Sequence, residues 1–254
     1  MPVVILAGGY GTRLSEVTHT IPKPMVEIGG KPIIWHIMKQ YRHYGFKEFY
    51  IALGYKGDVI KTYFANYHTT NSNMTVNLAT GSIDIYDRNE EDWIVHLIDT
   101  GKDTMTGGRV RRLQSFMKAK QFMLTYGDGV SNIDISDLLH FHQSHGKIGT
   151  VTAVRPPARF GGLVFDGNRV TEFTEKPQTG EGWINGGFMV FESTIFDYFA
   201  SDEDSLERTV LERLAWEGEL MAYKHNDFWQ SMDTLRDVGL LESLWEANAP
   251  WKMW

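Results

Sequence analysis

The 254-residue chain contains no cysteine. A disulfide framework is therefore excluded, and the sequence carries no sign of the oxidising compartments in which disulfides form. No apolar run approaches the roughly 20 residues of a membrane span, and the N-terminus lacks the basic region and cleavage site of a signal peptide. From these absences we expect a cytoplasmic protein that makes no contact with a membrane.

The chain also lacks an excess of basic residues, since 25 Lys and Arg stand against 32 Asp and Glu, a formal net charge of −7. Broad nucleic-acid binding depends on a basic surface that displaces counterions from phosphates. We therefore expect no nucleic-acid partner. A nucleotide ligand is compatible with this charge, because a few well-placed cations and a carboxylate-held divalent metal can bind a triphosphate.

An apolar run at the N-terminus is followed by a turn rich in glycine. The run predicts a buried strand, and the glycines let the backbone turn tightly and approach a ligand closely. Backbone N–H groups, a hydroxyl and a guanidinium can converge there on an anion. These groups belong to Gly8, Gly9, Gly11, Thr12 and Arg13. The alternative is a turn that only brings a helix close to a sheet.

Two common phosphate-binding motifs are absent from this turn. A P-loop requires Lys-Ser or Lys-Thr after its last glycine, and neither follows Gly11. The dinucleotide-binding fingerprint requires a third glycine where this chain has Leu14. An oxidoreductase with a nicotinamide cofactor is therefore the least favoured function.

Lys23 lies between Pro22 and Pro24, whose rings restrict the backbone and reduce the entropy lost when the lysine binds a ligand. On its own, such a lysine would be an ordinary surface residue. Together with the glycine turn, the segment Pro22–Met25 resembles the signature of the sugar-1-phosphate nucleotidylyltransferases. The match is specific because loop, spacing and lysine segment must all agree, and the resemblance covers essentially the whole chain.

Apolar strand-like runs alternate with segments at helical spacing, which predicts an α/β fold. Helices are expected at 32–41, 58–64, 108–118, 135–145, 205–215 and 235–246, and strands at 49–53, 122–126, 148–154 and 183–191. The resemblance implies a Rossmann-like nucleotidyltransferase fold with a mostly parallel central sheet in a single domain, residues 1–254. Short strands at 74–78, 83–86 and 93–98 predict a small β insertion at about 66–105, and we expect a C-terminal helical closure at about 234–254.

Residues 99–109 form a second turn rich in glycine and hydroxyl groups, and local sequence alone leaves a solvated loop as the alternative. Within the family this stretch is most similar to the glucose-1-phosphate cytidylyltransferases, in which a Thr and an Arg contact the nucleotide. The resemblance carries those roles to Thr104 and Arg109. It implies the following nucleotide-binding set: Leu6, Ala7, Gly8, Gly9, Gly11, Thr12, Arg13, Lys23, Thr104, Arg109 and Gly127.

Asp128 lies between two glycines after the apolar run 122–126. Open α/β sheets bind ligands at the carboxyl ends of their strands, and carboxylate oxygen suits Mg²⁺, although a simple turn aspartate is the alternative. Asp233 resembles the second metal aspartate of the family, and its alternative role is the N-cap of the following helix. The resemblance implies Mg²⁺ at these two residues and catalytic roles for Arg13, Lys23 and Asp128. Ser231 departs from the family pattern, which has proline there.

A polar tripeptide that ends at Pro177 follows a predicted hairpin. In the family this Glu-Lys-Pro sequence lies at the sugar-phosphate site, so the resemblance implies sugar-phosphate binding by Glu175 and Lys176. It implies the same for Asn185 and Gly186. By local sequence alone, the tripeptide and the segment that contains Asn185 and Gly186 would both be ordinary strand ends.

The resemblance as a whole implies transfer of a cytidylyl group from CTP to α-D-glucose 1-phosphate, giving CDP-glucose and pyrophosphate. It also implies a homo-oligomer, a hexamer in the family, and a place in 3,6-dideoxyhexose synthesis for bacterial surface polysaccharide. Alternatives are a thymidylyl- or uridylyltransferase acting on a hexose 1-phosphate, and a regulatory relative that binds nucleotides without turnover. The spacing of the motifs alone does not show which nucleotide base the protein prefers.

Overall fold

The computed structural model describes residues 1–86, 91–156, 162–166, 169–174 and 182–254. Its strands are β1 (Val3–Ala7), β2 (Glu27–Ile28), β3 (Lys31–Pro32), β4 (Glu48–Leu53), β5 (Asn73–Asn77), β6 (Ser82–Tyr86), β7 (Ile94–Asp99), β8 (Gln121–Tyr126), β9 (Gly129–Ser131), β10 (Gly149–Val154), β11 (Gly162–Asp166), β12 (Arg169–Thr174), β13 (Ile184–Glu192), β14 (Leu220–His225) and β15 (Trp229–Ser231). Its α-helices are α1 (Ser15–Thr18), α2 (Ile33–His43), α3 (Gly57–Ala65), α4 (Tyr67–Asn71), α5 (Thr106–Leu113), α6 (Ile135–His145), α7 (Glu212–Trp216) and α8 (Leu235–Asn248). Short 3-10 turns occur at Thr12–Leu14, Lys23–Met25 and Ser193–Tyr198, and a π-helix spans Leu206–Leu211.

A seven-stranded sheet in the order β14-β10-β13-β8-β1-β4-β7 forms the centre of the fold. β1 lies between β8 and β4 and is parallel to both. Within this sheet, β13 alone of the described strands runs antiparallel to its neighbours, β8 and β10. The mostly parallel α/β sheet predicted from the sequence is confirmed.

Helices cover the sheet on both faces, which explains why its central strands are continuous apolar runs. Along β1, Val3 and Ile5 belong to one buried cluster and Val4 and Leu6 to another, since successive side chains point to opposite faces. The first cluster includes residues of α2, and the second includes residues of α5. With both faces packed, the loops at the carboxyl ends of the parallel strands are left to form a site.

The predicted extent of the β insertion, about 66–105, is wrong. β5 and β6 do form an antiparallel ribbon outside the central sheet. The strand expected at 93–98 is instead β7, which pairs in parallel with β4 as the edge of the central sheet. An edge strand is covered incompletely, and β7 is polar at His96 and partly exposed, so its sequence is like that of a peripheral strand.

The C-terminal helix lies where the pattern at 235–246 predicts one, in α8. Beyond it, Trp251 is buried, and its ring stacks on Phe228 at a centroid distance of 5.6 Å. The aromatic tail therefore packs against its own chain. The sequence pattern does not predict β14, an edge strand whose side chains are partly or fully exposed. Within the described residues, no helix is long and apolar enough to cross a membrane.

Candidate active site

Lys23 is the point at which two carboxylates from distant parts of the chain meet. Its Nζ donates to Asp128 Oδ2 at 2.6 Å and to Asp233 Oδ1 at 2.7 Å. Arg13 Nη1 donates to the other oxygen of Asp233, Oδ2, at 2.9 Å. The Lys23 side chain is buried, whereas that of Arg13 is largely exposed. Two cations and two carboxylates therefore form one linked network at the carboxyl edge of the sheet.

The short antiparallel pair β9–β15 brings the two carboxylates together. Asp128 directly precedes β9, Asp233 follows β15, and Gly129 pairs with Ser231 between them. The Met232 N–H donates to the Asp128 carbonyl at 2.8 Å and closes this end of the pair. Two aspartates that are far apart in sequence thereby come to face one lysine.

Asp233 does not cap the helix that follows it. Thr234 is the N-cap of α8, and its side chain forms a capping box with Asp237. The alternative reading of Asp233 as the cap is therefore wrong, and its carboxylate is engaged by the cations. Ser231, which stands where the family pattern has proline, donates from Oγ to Asp233 Oδ2 at 3.3 Å. This departure adds a donor that proline could not supply.

The charges around Asp233 outweigh the effect of its burial. Burial raises the pKa of this carboxyl group, but the hydrogen bond and charge of Lys23, with smaller contributions from Arg13 and Ser231, hold the pKa below its ordinary value. Because the pKa is lower in the folded than in the unfolded chain, the network stabilises the fold above the ordinary carboxyl pKa of about 4. This contribution to stability is lost as the pH falls through the pKa that Asp233 has in the folded chain.

A cavity of about 460 Å³ opens beside this network. All the predicted nucleotide-binding and catalytic residues line it, namely Leu6, Ala7, Gly8, Gly9, Gly11, Thr12, Arg13, Lys23, Thr104, Arg109, Gly127 and Asp128. It is also lined by residues to which the sequence assigned no contact with a ligand, which are Tyr10, Pro24, Lys102, Asp103, Met105, Thr106 and Tyr126. Of these, Tyr126 could have been noticed, because it ends the strand directly before Gly127 and Asp128.

The residues predicted to bind the sugar phosphate are described only in part. Asn185 Nδ2 lies 3.4 Å from the Tyr126 hydroxyl oxygen, so Asn185 adjoins the cavity wall. Gly186 is buried, and its carbonyl accepts a hydrogen bond from Trp229 Nε1 at 2.7 Å. Glu175 and Lys176 lie outside the described residues. The sugar-binding roles of all four therefore stay predictions.

Arg109 is buried and donates to five protein acceptors. They are the carbonyls of Gly8, Leu53, Gly101 and Lys102 and the Thr100 hydroxyl, at 2.6–3.1 Å. The guanidinium thereby joins the glycine turn after β1 to the loops after β4 and β7. Burial lowers the pKa of Arg109 from its ordinary value. The carbonyl dipoles replace the water that this cation has lost, so it is a cross-link between loops as well as part of the cavity wall.

Two glycines make room for this guanidinium. A Cβ atom would lie 2.2 Å from Arg109 Nη1 at Gly8 and 2.4 Å from the same atom at Gly54. The sequence pattern explains Gly8 by the close approach of an anion. The structure adds a second reason, which is the space that a buried arginine from α5 requires.

The nucleotidyl transferase family matches residues 2–252 of the chain. The glucose-1-phosphate cytidylyltransferase of Salmonella typhi is 51% identical over the whole of both chains. The chain belongs to this branch of the nucleotidyl transferase family. A probable glucose-1-phosphate cytidylyltransferase of Bacillus subtilis is 41% identical, again over the whole of both chains. The family resemblance inferred from the glycine turn and the lysine segment is therefore confirmed, and with it the expectation of a nucleotidyltransferase enzyme.

A solved structure shares the fold of this chain. HddC from Yersinia pseudotuberculosis matches with a TM-score of 0.69 and 24% identity, covering 96% of this chain and 99% of that chain. The two proteins therefore share this fold along almost their whole length.

The packing around Arg109 predicts the cost of a methyl group at Gly54. We expect Gly54→Ala to lower the free energy of unfolding by about 1–3 kcal/mol, because its Cβ would lie 2.4 Å from Arg109 Nη1 and 2.7 Å from the Gly8 carbonyl oxygen. Gly239→Ala in α8 is the control, since no atom lies within 4 Å of its Cβ position. The control should stabilise the helix by up to about 1 kcal/mol. Urea unfolding measures the free energy of unfolding of both variants. A Gly54→Ala variant as stable as the parent would contradict the close packing of Arg109 between the loops.

Proposed function

We propose that the protein transfers a cytidylyl group from CTP to α-D-glucose 1-phosphate, giving CDP-glucose and pyrophosphate. The convergence of Lys23, Asp128 and Asp233 beside a cavity lined by the glycine turn carries this proposal. The full-length similarity to enzymes named for this reaction supports the choice of substrates. Thymidylyl and uridylyl transfer use the same phosphate chemistry, so these reactions are the alternatives that an assay must separate.

The reaction is an in-line displacement at the α-phosphorus of the nucleotide. A phosphate oxygen of the sugar phosphate forms the new P–O bond, the bond from the α-phosphorus to the bridging oxygen breaks, and pyrophosphate leaves with that electron pair. No general base is required, because a phosphate monoester with a second pKa of about 6 is largely dianionic at neutral pH. Catalysis is therefore positioning and charge neutralisation.

The cations and the glycine turn supply that neutralisation. Backbone N–H groups of the turn and the Thr12 hydroxyl bind the triphosphate. Arg13 and Lys23 stabilise negative charge on the α-phosphate and on departing pyrophosphate. Two carboxylates hold the Lys23 ammonium at the cavity wall, so it is in place before the substrates bind.

Asp128 and Asp233 fit the coordination of Mg²⁺. This ion keeps several waters and takes one or two carboxylates together with substrate phosphates. Both carboxylates lie within 2.7 Å of the same ammonium, so their oxygens converge. No group of three metal-ligating side chains occurs in the part of the chain that the structure describes, so the substrate phosphates and water would complete the coordination. Bound there, the cation would supply positive charge to the triphosphate.

The sugar phosphate would occupy the cavity side that Asn185 adjoins. We assign the sugar-phosphate contacts to Glu175, Lys176, Asn185 and Gly186. Lys176 would meet the phosphate, and Glu175 would accept hydrogen bonds from sugar hydroxyls. We place the reaction in the cytoplasm and assign its product to the synthesis of bacterial surface polysaccharide.

The β5–β6 ribbon supports a homo-oligomer, for which we propose a hexamer. On one of its faces, Met74 pairs with Ile85 and Val76 with Ile83, and all four side chains are at least partly exposed. An isolated two-stranded ribbon is marginal in water, and contiguous exposed apolar side chains indicate an interaction site. A second copy of the chain would cover this face.

The central assay is pyrophosphate release from glucose 1-phosphate with CTP, UTP, dTTP, ATP or GTP, with and without Mg²⁺. We expect metal-dependent turnover with CTP that Asp128→Asn lowers by about 100-fold or more, because the variant removes a charge at the reacting phosphates. Asp197→Asn, an exposed aspartate outside the cavity lining, is the control and should leave turnover unchanged. Preference for another base would assign the protein to a sister activity, and no turnover with any nucleotide would contradict the proposal.

The oligomer proposal predicts that a charge on the apolar face of the ribbon dissociates the assembly. We expect Ile83→Lys to reduce the mass measured by sedimentation equilibrium to that of a smaller species, because the new ammonium would be buried without a partner. Asp84→Lys places the same side chain on the opposite face and should leave the mass unchanged. A parent protein that sediments as a monomer would contradict the proposed assembly.

A further inference from the structure

A chain of hydrogen bonds leads from the predicted sugar site along the cavity wall to Glu207. Asn185 Nδ2 lies 3.4 Å from the Tyr126 hydroxyl oxygen, and that hydroxyl donates to Glu207 Oε1 at 2.6 Å. Glu207 Oε2 accepts from Thr106 Oγ1 at 2.7 Å and from Ser205 Oγ at 2.8 Å. Tyr126 and Thr106 line the cavity, whereas Glu207 lies behind them. One carboxylate thus holds two residues of the wall.

The carboxylate of Glu207 fixes the direction of this chain. An ionised carboxylate can only accept, so Tyr126 must donate its single hydroxyl hydrogen to Glu207. The Tyr126 oxygen can then only accept from the cavity side, where it faces Asn185 Nδ2. The orientation of the Asn185 amide agrees, because its Oδ1 accepts from the Gly187 N–H at 2.9 Å. Asn185 is left with a second amide hydrogen, and Tyr126 with unused acceptor capacity.

The local fold keeps Glu207 in this position. Glu207 lies in the π-helix Leu206–Leu211, and the side chain of its N-cap residue, Ser205, accepts from the Arg208 N–H. The Leu206 N–H donates to Thr106 Oγ1 at 2.9 Å and ties the π-helix to the first turn of α5. At Gly107, a Cβ would lie 2.6 Å from the Asp204 carbonyl oxygen, so the two segments are in close contact.

The protonation states agree with this direction. Burial raises the pKa of Glu207, but hydrogen bonds from Tyr126 and Thr106 hold the pKa below its ordinary value, so the group is charged at neutral pH. A phenol with the ordinary pKa of about 10 is protonated across the neutral range. The donor and acceptor roles are therefore constant across the neutral range.

We propose that Glu207 is a positioning residue for the acceptor sugar, acting through Tyr126 so that Asn185 presents a donor and Tyr126 an acceptor to the sugar hydroxyls. A donor and an acceptor side by side match a hydroxyl group, which both accepts and donates. Glu207 itself does not touch the substrate. The inference rests on the proposed function and names residues that select and orient a hexose phosphate at that site.

The variant Glu207→Gln tests this role because its amide can donate. Donation to the Tyr126 oxygen would reverse that hydrogen bond and point the phenol hydrogen at the Asn185 amide hydrogens. We expect the KM for glucose 1-phosphate to rise about tenfold, which corresponds to the loss of roughly one hydrogen bond between neutral groups, while the KM for CTP stays within about twofold. Glu203→Gln makes the same chemical change at an exposed position nearby and should alter neither KM.

A double-variant comparison separates positioning from a general structural effect. Tyr126→Phe should raise the KM for glucose 1-phosphate to a similar extent, and adding Glu207→Gln to it should produce no further rise. Tyr126→Phe leaves Glu207 intact, so the test survives if Glu207→Gln fails to fold. Additive effects, an equal rise in both KM values, or an unchanged KM for glucose 1-phosphate would overturn the inference while the parent enzyme remains active. A parent enzyme inactive with these substrates would overturn the proposed function and this inference together.

Discussion

The active site depends on a single ammonium group that faces two carboxylates. Lys23 lies within 2.7 Å of both Asp128 and Asp233, and without it two negative charges would share a partly buried space. Removing one partner from a buried ion pair typically costs about 3–5 kcal/mol, because the charge that remains has lost its water. The flanking prolines and the β9–β15 pair hold this arrangement from two sides of the cavity. The positions of these three charged side chains are thus set by the fold itself.

A second buried cation, Arg109, holds the glycine turn after β1 in place. It binds backbone carbonyls of three loops in place of a carboxylate, so its charge is not cancelled at the cavity wall. Glu207 has a comparable role behind another part of the cavity wall. Its carboxylate accepts hydrogen bonds from the hydroxyl groups of Tyr126 and Thr106. In each case a charged group is hydrogen-bonded to several partners inside the protein. Side chains held in this way are in position before a ligand binds.

The local sequence predicts the residues of the site that lie at strand ends. The roles of the other site residues depend on contacts that the local sequence does not show. The glycine turn and Asp128 follow apolar runs directly, so their position at the carboxyl edge can be read from the pattern. Asp233 and Thr234 are adjacent and both suit a helix cap, and only the capping box with Asp237 separates their roles. The clash that makes Gly8 and Gly54 necessary involves an arginine from α5, which no spacing rule connects to them.

The wrong assignment of β7 and the failure to predict the role of Glu207 have the same physical origin. An edge strand such as β7 lacks cover on one side, so its composition does not distinguish it from a strand in a separate ribbon. Glu207 lies in a π-helix whose pattern predicts an ordinary helix, and its partners are distant in sequence. The pKa of the Asp233 carboxyl group tests the central role of Lys23 most directly. It can be measured by ¹³C NMR in the parent protein and in Lys23→Met. We predict a pKa below the ordinary carboxyl value in the parent and a higher pKa in the variant, where Arg13 and Ser231 remain to oppose the effect of burial. The same pKa in both proteins would contradict the central role of Lys23.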